Sequence, residues 1–451
     1  MRRSGIMALA VVAVAAAIQL YWLANFQPRV VTDSVSYLGP ARTLLAGRGF
    51  LEPQRRTWVF NADPVRPLGP GTFRTPGYPA ALALAFACGL SIKGIAIVQH
   101  ALIVALSAAI YFFTLKTTRS IGVATTAALL HAIYLPTIDT ANDIMTDTLF
   151  AALFFAAFVL AYLAGRSPAA GAAAGAVAAL SALVKPIALW YCVVIALSLL
   201  RSRQIRALIL CLALAAAIDG AWIARNRAQT GVATFSSLPG ENLLFFNANS
   251  TLLASEQGIA YGLLAQHSQT DYWRHIYRRF PALFELAKAR MAAERGPAAV
   301  TELNHATWSR VYAEIGKDLI LKHKGAYFVT IISGVIGTYL DGLWETGIER
   351  LGFDLYFWKP LLIVASMAGV LTAIVGLVVL WQTDQALCVL TLLTLGYLTI
   401  LSSGPASDAR LGIPIAPVYA IPLAVGLNAL YRRFGRRNSN KAVSAIQSPR
   451  F

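Results

Sequence analysis

Ten apolar runs, separated by short basic clusters, constrain this chain more than any other feature of its sequence. They occupy 6–24, 94–115, 121–138, 148–164, 169–183, 187–200, 207–223, 361–381, 386–401 and 413–430. In hydrocarbon every peptide N–H and C=O needs a partner inside the protein, so runs of this kind form helices. The chain is therefore expected to be an all-α polytopic membrane protein with about ten transmembrane helices. Two more apolar stretches need arbitration. The segment 80–90 has eleven residues, and at about 1.5 Å per residue a helix of that length crosses only about half of a ~30 Å hydrocarbon core. It reads as interfacial or re-entrant.

The segment 327–343, with Thr330, Ser333, Thr338 and Asp341, is decided by charge. Arg2 and Arg3, Lys116 and Arg119, Arg166, the trio Arg201, Arg203 and Arg206, and the basic tail after residue 431 should all face the cytoplasm. Ten spans satisfy every cluster, whereas an eleventh would send the tail outside, so 327–343 is expected along the outer face. The same pattern accounts for the formal charge of +17 in a chain that is 57% hydrophobic and 13% charged, and excludes nucleic acid as a partner. MRRSG ahead of the first run reads as a retained signal-anchor. Cys88, Cys192, Cys211 and Cys388 lie in apolar surroundings without metal-ligand spacing and read as small core residues.

This topology divides the chain into a membrane module over 1–224 containing a first outer loop at 25–93, a non-cytoplasmic domain over 225–359, C-terminal membrane helices over 360–431 and a cytoplasmic tail over 432–451. Asp33, Arg74, Asp143, Asp147, Lys185, Arg225 and Arg410 then all fall where a span meets its outer loop. Ionisable groups at that depth are costly and mark a site or a paired network. Each also has a structural reading: Asp33 as the N-cap of an amphipathic helix running through Val35, Leu38, Ala41 and Leu45, Asp147 as a cap of the following helix, Arg74 and Arg225 as snorkelling cations, Lys185 as the flank of a turn. The span interiors hold chiefly Gln19, Gln99, His100, His131 and Asp219, and the two histidines are expected in interhelical hydrogen bonds. No internal repeat is apparent, which argues against a transporter built from repeated halves.

The ordered motifs DSVSY…LLAGRGF, FRTPGYPAALALAF, MTDTLF, LVKP, RNRAQTGVATFSSLPGENL and ARLGIPIAP resemble those of the GT-C polyprenyl-phosphate-sugar glycosyltransferases, which include protein O-mannosyltransferases and lipid A aminoarabinose transferases. The resemblance implies a GT-C-like helical bundle with outer-face juxtamembrane helices and a small non-cytoplasmic domain, seated in the inner (plasma) membrane with its site on the periplasmic face. It implies catalytic roles for Asp33 and Asp147 and donor-phosphate contacts from Arg74 and Lys185; sidedness adds Arg225 and Arg410 to that phosphate site, and Tyr37, Asp143, Tyr78 and Glu241 are candidate acceptor or site-lining residues. Many members carry paired acids in the first loop, whereas here Asp33 is followed by Ser34. No cofactor is assigned, and a divalent metal stays open.

The implied reaction is inverting transfer of a hexose or pentose from a polyprenyl-phosphate donor to a hydroxyl of a lipid, glycan or protein acceptor. A phosphate leaving group needs little protonation, so one carboxylate base and phosphate-binding cations suffice, in contrast to the two carboxyls of a glycosidase. Acceptor choice is expected in 225–359, where Tyr272, Trp273 and Trp308 could offer stacking surfaces. A lipid-linked sugar flippase and an O-antigen-ligase-like transferase with a diphosphate donor are the alternative readings.

Overall fold

The computed structural model describes residues 2–59, 67–258, 269–340, 344–404 and 409–446. From the N-terminus run α1 (Arg2–Asn25), α2 (Thr32–Leu45), an antiparallel hairpin of β1 (Leu51–Pro53) and β2 (Leu68–Pro70), α3 (Gly77–Ala87), α4 (Ile92–Thr118), α5 (Ile121–Ala132), α6 (Leu135–Thr140), α7 (Asp147–Ala164), α8 (Pro168–Val184), a 3-10 turn at Pro186–Ala188, α9 (Tyr191–Arg201) and α10 (Ile205–Thr230). A more polar module follows. It comprises α11 (Leu238–Glu241), a π-helical stretch Asn242–Ala248 continuing into α12 (Asn249–Gln257), then α13 (Gln269–Arg295), α14 (His305–Lys322), α15 (Lys324–Leu340) and α16 (Trp344–Arg350). The chain returns to apolar helices with α17 (Leu355–Thr383) and α18 (Gln385–Ser402), and after α19 (Ala409–Gly412) ends its described part in α20 (Ala416–Ile446).

The protein is an all-α multi-pass membrane protein, with the short hairpin as an addition that hydropathy does not announce. All ten expected spans fall on helices, but among the described residues only α1, α4, α7, α10, α17 and α18 are long and apolar enough to cross a membrane alone. The run expected at 121–138 is interrupted: α5 stops at Ala132 and α6 restarts at Leu135 with Pro136 in its first turn, where the missing N–H leaves no bond unmade. At 17 residues α8 reaches only about 25 Å, and the run expected at 187–200 begins as the 3-10 turn before α9. The segment expected along the outer face lies in α15, bent by 103° against α14; Asp341 lies outside the described residues. The segment 80–90, expected as interfacial or re-entrant, lies mostly in α3, eleven residues long, and Cys88 just past its end is exposed, correcting its expected core position.

One core joins the membrane helices, centred on Phe150, Phe154, Phe155 and Phe158 of α7 with Tyr191 and Ile195 of α9. The small-residue face of α8 lets α10 approach closely. A Cβ on Gly175 would stand 2.1 Å from the carbonyl oxygen of Cys211. The polar module has its own core, in which Phe245, Phe280, Trp308 and Tyr312 pack edge to face and tilted. Tyr272 and Trp308 are buried there, so they are core residues and not acceptor surfaces; Trp273, half-buried, stacks on Tyr277 at 5.8 Å. His100 joins Gln19 and Asn142, and His131 joins Ser107, as expected of polar groups within a helical bundle.

Candidate active site

Asp33 sits in the first turn of α2, yet it does not cap the helix. The N-cap is Val31, whose N–H donates to Ser34 Oγ at 3.0 Å. That arrangement leaves the Asp33 carboxylate to two guanidinium groups: Arg74 Nη2 at 3.0 Å from Oδ1 and Arg410 Nη1 at 3.5 Å from Oδ2. Arg74 is fixed further. Its Nε donates to Ser36 Oγ at 2.8 Å, and its guanidinium lies between the rings of Tyr37 (4.5 Å) and Phe73 (4.7 Å).

Asp147 and Lys185 come together through helix pairing. α7 and α8 are joined by a short turn around Arg166, so the first residue of α7 and the residue that ends α8 lie at the same end of the pair. Lys185 Nζ donates to Asp147 Oδ1 at 2.7 Å, whereas Asp147 Oδ2, equally buried, has no hydrogen-bond partner among the described residues. Gly77 brings the Arg74 segment to the same place. A Cβ on Gly77 would lie 2.7 Å from the backbone of Leu183 and 2.8 Å from that of Val184, so only glycine lets α3 press against the end of α8 immediately before Lys185.

Tyr37 stands between these charges. Burial raises its hydroxyl pKa, Arg74 opposes the shift, and Asp33 and Asp147 add to it. Tyr78 packs edge-on against Tyr37 at 5.3 Å and donates to Gln99 Oε1 at 2.8 Å; burial likewise raises its hydroxyl pKa. Gln99 then donates to the carbonyls of Ala141 and Asp143, both at 2.8 Å, which fixes the turn leading into Asp147.

Three of the sequence-named residues are employed elsewhere. Asp143 pairs with Arg29, which also reaches Asp139 at 3.2 Å, and Asp139 in turn binds Arg350 at 2.6 Å. Burial pushes the Asp143 carboxyl up to about 6 against the pull of Arg29. Arg225 is not brought to the cluster. Its guanidinium donates to the carbonyls of Gly71 (2.6 Å) and Phe50 (3.0 Å) and to Asn226 Oδ1 (2.9 Å), clamping the hairpin. Glu241 belongs to a separate buried network, with Oε1 at 2.6 Å from His305 Nε2 and 3.0 Å from the N–H of Trp58. Sequence reading missed Arg29, Glu52 and His305, whose partners are remote in the chain and leave no local pattern.

The arrangement offers one accessible carboxylate among three cations. The Asp33 side chain is 40% exposed against 1% for Asp147, so a substrate hydroxyl can reach the first and not the second. Among the described residues no group of three or more His, Cys, Asp or Glu side chains is gathered for a metal, and both carboxylates already face cations.

No protein-family model matches the sequence, and no curated protein does. Solved structures do resemble the chain. One is the archaeal oligosaccharyltransferase AglB from Archaeoglobus fulgidus in complex with an inhibitory peptide and a dolichol-phosphate, with a TM-score of 0.52 at 13% identity over 98% of this chain and 52% of that one. Another is the Archaeoglobus fulgidus oligosaccharyltransferase tethered to an acceptor peptide containing the NVT sequon, with a TM-score of 0.53 at 14% identity over 94% of this chain and 50% of that one. The chain thus spans about half the length of the structures it matches. It has the GT-C fold.

Proposed function

We propose that this GT-C-fold chain is an inverting glycosyltransferase that moves a hexose or pentose from a polyprenyl-phosphate donor to an acceptor hydroxyl at the non-cytoplasmic face of the inner membrane. The observation that carries the reading is the accessible Asp33 carboxylate held beside Arg74 and Arg410, with Lys185 brought close by the Gly77 contact. The dolichol-phosphate and the acceptor peptide in the solved neighbours support a lipid-linked donor and a separate acceptor.

In this reading Asp33 accepts the proton of the acceptor hydroxyl as its oxygen bonds to the anomeric carbon. The bond from that carbon to the donor phosphate oxygen breaks on the opposite face, and its electron pair leaves with the phosphate. The leaving group passes from a phosphodiester with one negative charge towards a monophosphate with two. Arg74 and Arg410, beside the base, take up that added charge and so bind the transition state more tightly than the ground state, while Lys185 holds the donor phosphate alike in both. Each oxygen of the Asp33 carboxylate takes one guanidinium bond and keeps a further lone pair for the acceptor hydroxyl, so the base works with the cations in place.

The test is direct. Purified protein in detergent is incubated with labelled polyprenyl-monophosphate and polyprenyl-diphosphate sugars and with lipid, glycan and peptide acceptors. Inverted product from the monophosphate donor is the expected result. Use of the diphosphate alone would favour a ligase-like enzyme, and binding of a polyprenyl-phosphate sugar without transfer would favour a flippase.

A further inference from the structure

Arg74 directly follows three residues, Gly71 to Phe73, whose backbone N–H and C=O groups all have partners. The N–H of Gly71 donates to Phe50 O at 3.1 Å, and its carbonyl accepts from Arg225 at 2.6 Å. Thr72 O accepts from the N–H of Ser237 at 2.8 Å, and Phe73 O from Ser236 Oγ at 2.7 Å. The two remaining groups, the N–H of Thr72 and of Phe73, both donate to a single oxygen, Glu52 Oε1, at 2.7 and 3.0 Å.

Glu52 is a costly way to satisfy two amides. It lies in β1, is only 2% exposed, and its second oxygen, Oε2, has no hydrogen-bond partner among the described residues. A neutral hydroxyl or carbonyl would accept the same bonds without burying a carboxyl. What the arrangement achieves is local: it fixes Phe73, whose ring is stacked on Trp58 at 5.0 Å and lies against His305 at 5.1 Å, and on whose face the Arg74 guanidinium rests.

We propose that Glu52 is a positioning residue for Arg74: by gripping the amides of Thr72 and Phe73 it sets the guanidinium in its working place before a donor phosphate arrives. The inference rests on the proposed role of Arg74 at the leaving phosphate. A charge placed in advance stabilises the transition state without reorganisation, and a misplacement of about 1 Å is enough to lower turnover.

A double-mutant cycle with the full chain in detergent tests it, reading donor KM and kcat of polyprenyl-phosphate-sugar consumption. Glu52→Ala in the native background should lower kcat on the order of tenfold, with donor KM changed less than about twofold. In an Arg74→Ala background the same change should alter kcat by less than about twofold, because the group it positions is gone. If Glu52→Ala does not yield folded protein, Glu52→Asp, which keeps the charge and withdraws the oxygen from both amides, carries the same expectation. Equal losses in both backgrounds would overturn the positioning role while leaving the phosphate site intact. An Arg74→Ala variant with unchanged kinetics would overturn the role of Arg74 and the positioning role with it.

Discussion

Lys185 Nζ lies 2.7 Å from Asp147 Oδ1, at the common end of the helices α7 and α8, and the carboxylate is almost wholly buried. This pair holds the ammonium where it can turn to a phosphate. Lys185→Ala is expected to raise the apparent donor KM by an amount worth about 1.5–3 kcal/mol, the scale of hydrogen bonds to charged groups. It should also destabilise the fold, since removing one partner leaves a buried carboxylate alone, at a cost of about 3–5 kcal/mol. Donor titrations and thermal unfolding of Lys185→Ala and Lys185→Gln check both; unchanged values in both variants would make the lysine a mere flank of its turn.

Arg74 is expected to differ from Lys185 in kind. Its contacts to Asp33 and Ser36 put it beside the base, so it should tighten on the phosphate as the bond breaks. Arg74→Ala should therefore lower kcat as well as raise donor KM, whereas a snorkelling arginine could become Gln with little kinetic consequence. Steady-state kinetics of Arg74→Ala and Arg74→Gln in matched preparations separate the two.

Gly77 is the contact that brings the two cations to one place. Its Cβ position is blocked by the backbone of Leu183 and Val184, and backbone cannot swing aside. Gly77→Ala should cost about 1–3 kcal/mol of stability, the usual scale of overpacking, and should raise donor KM without touching any ligand group. A variant with native unfolding temperature and native KM would show that the close approach is dispensable.

Asp143 supplies a pH signature. Its carboxyl, pushed by burial to about 6, holds a proton in the folded protein over a range where the unfolded chain has lost it. The native state thus binds more protons between about pH 4 and 6, so this residue's contribution to stability falls as pH rises through that window and is level above it. Unfolding temperatures of the native protein relative to Asp143→Asn should decline from about pH 4 to 6 and then run parallel. Parallel curves throughout would mean that the Arg29 pair fully offsets burial.

Much of this was legible from residues alone, for identifiable reasons. The spans of α1, α4, α7 and α10 follow from hydropathy, because uninterrupted apolar helices write their length directly into the sequence. Asp33, Arg74, Asp147, Lys185 and Arg410 stand out in the sequence because charges at span ends are rare, and the structure pairs Asp33 with Arg74 and Arg410, and Asp147 with Lys185. What escaped depends on direction and distance. Sidedness cannot say where a long side chain points, so Arg225 was placed at the phosphate although it clamps the hairpin at Gly71 and Phe50. Glu52 and the pair Glu241 and His305 carry no local pattern, since their partners lie in other elements. The hairpin itself, bounded by Pro53 and Pro70, is too short for alternating hydrophobicity to reveal.

The central claim is that Asp33 takes the acceptor's proton while the cations around it hold the departing phosphate. The most direct measurement is single-turnover transfer from a polyprenyl-phosphate sugar by Asp33→Asn, with donor binding and the unfolding temperature followed on the same preparation. The account predicts a fold and donor affinity close to native and a transfer rate lower by at least about 10²-fold, the scale of a positioned general base. A near-native transfer rate in Asp33→Asn would contradict it.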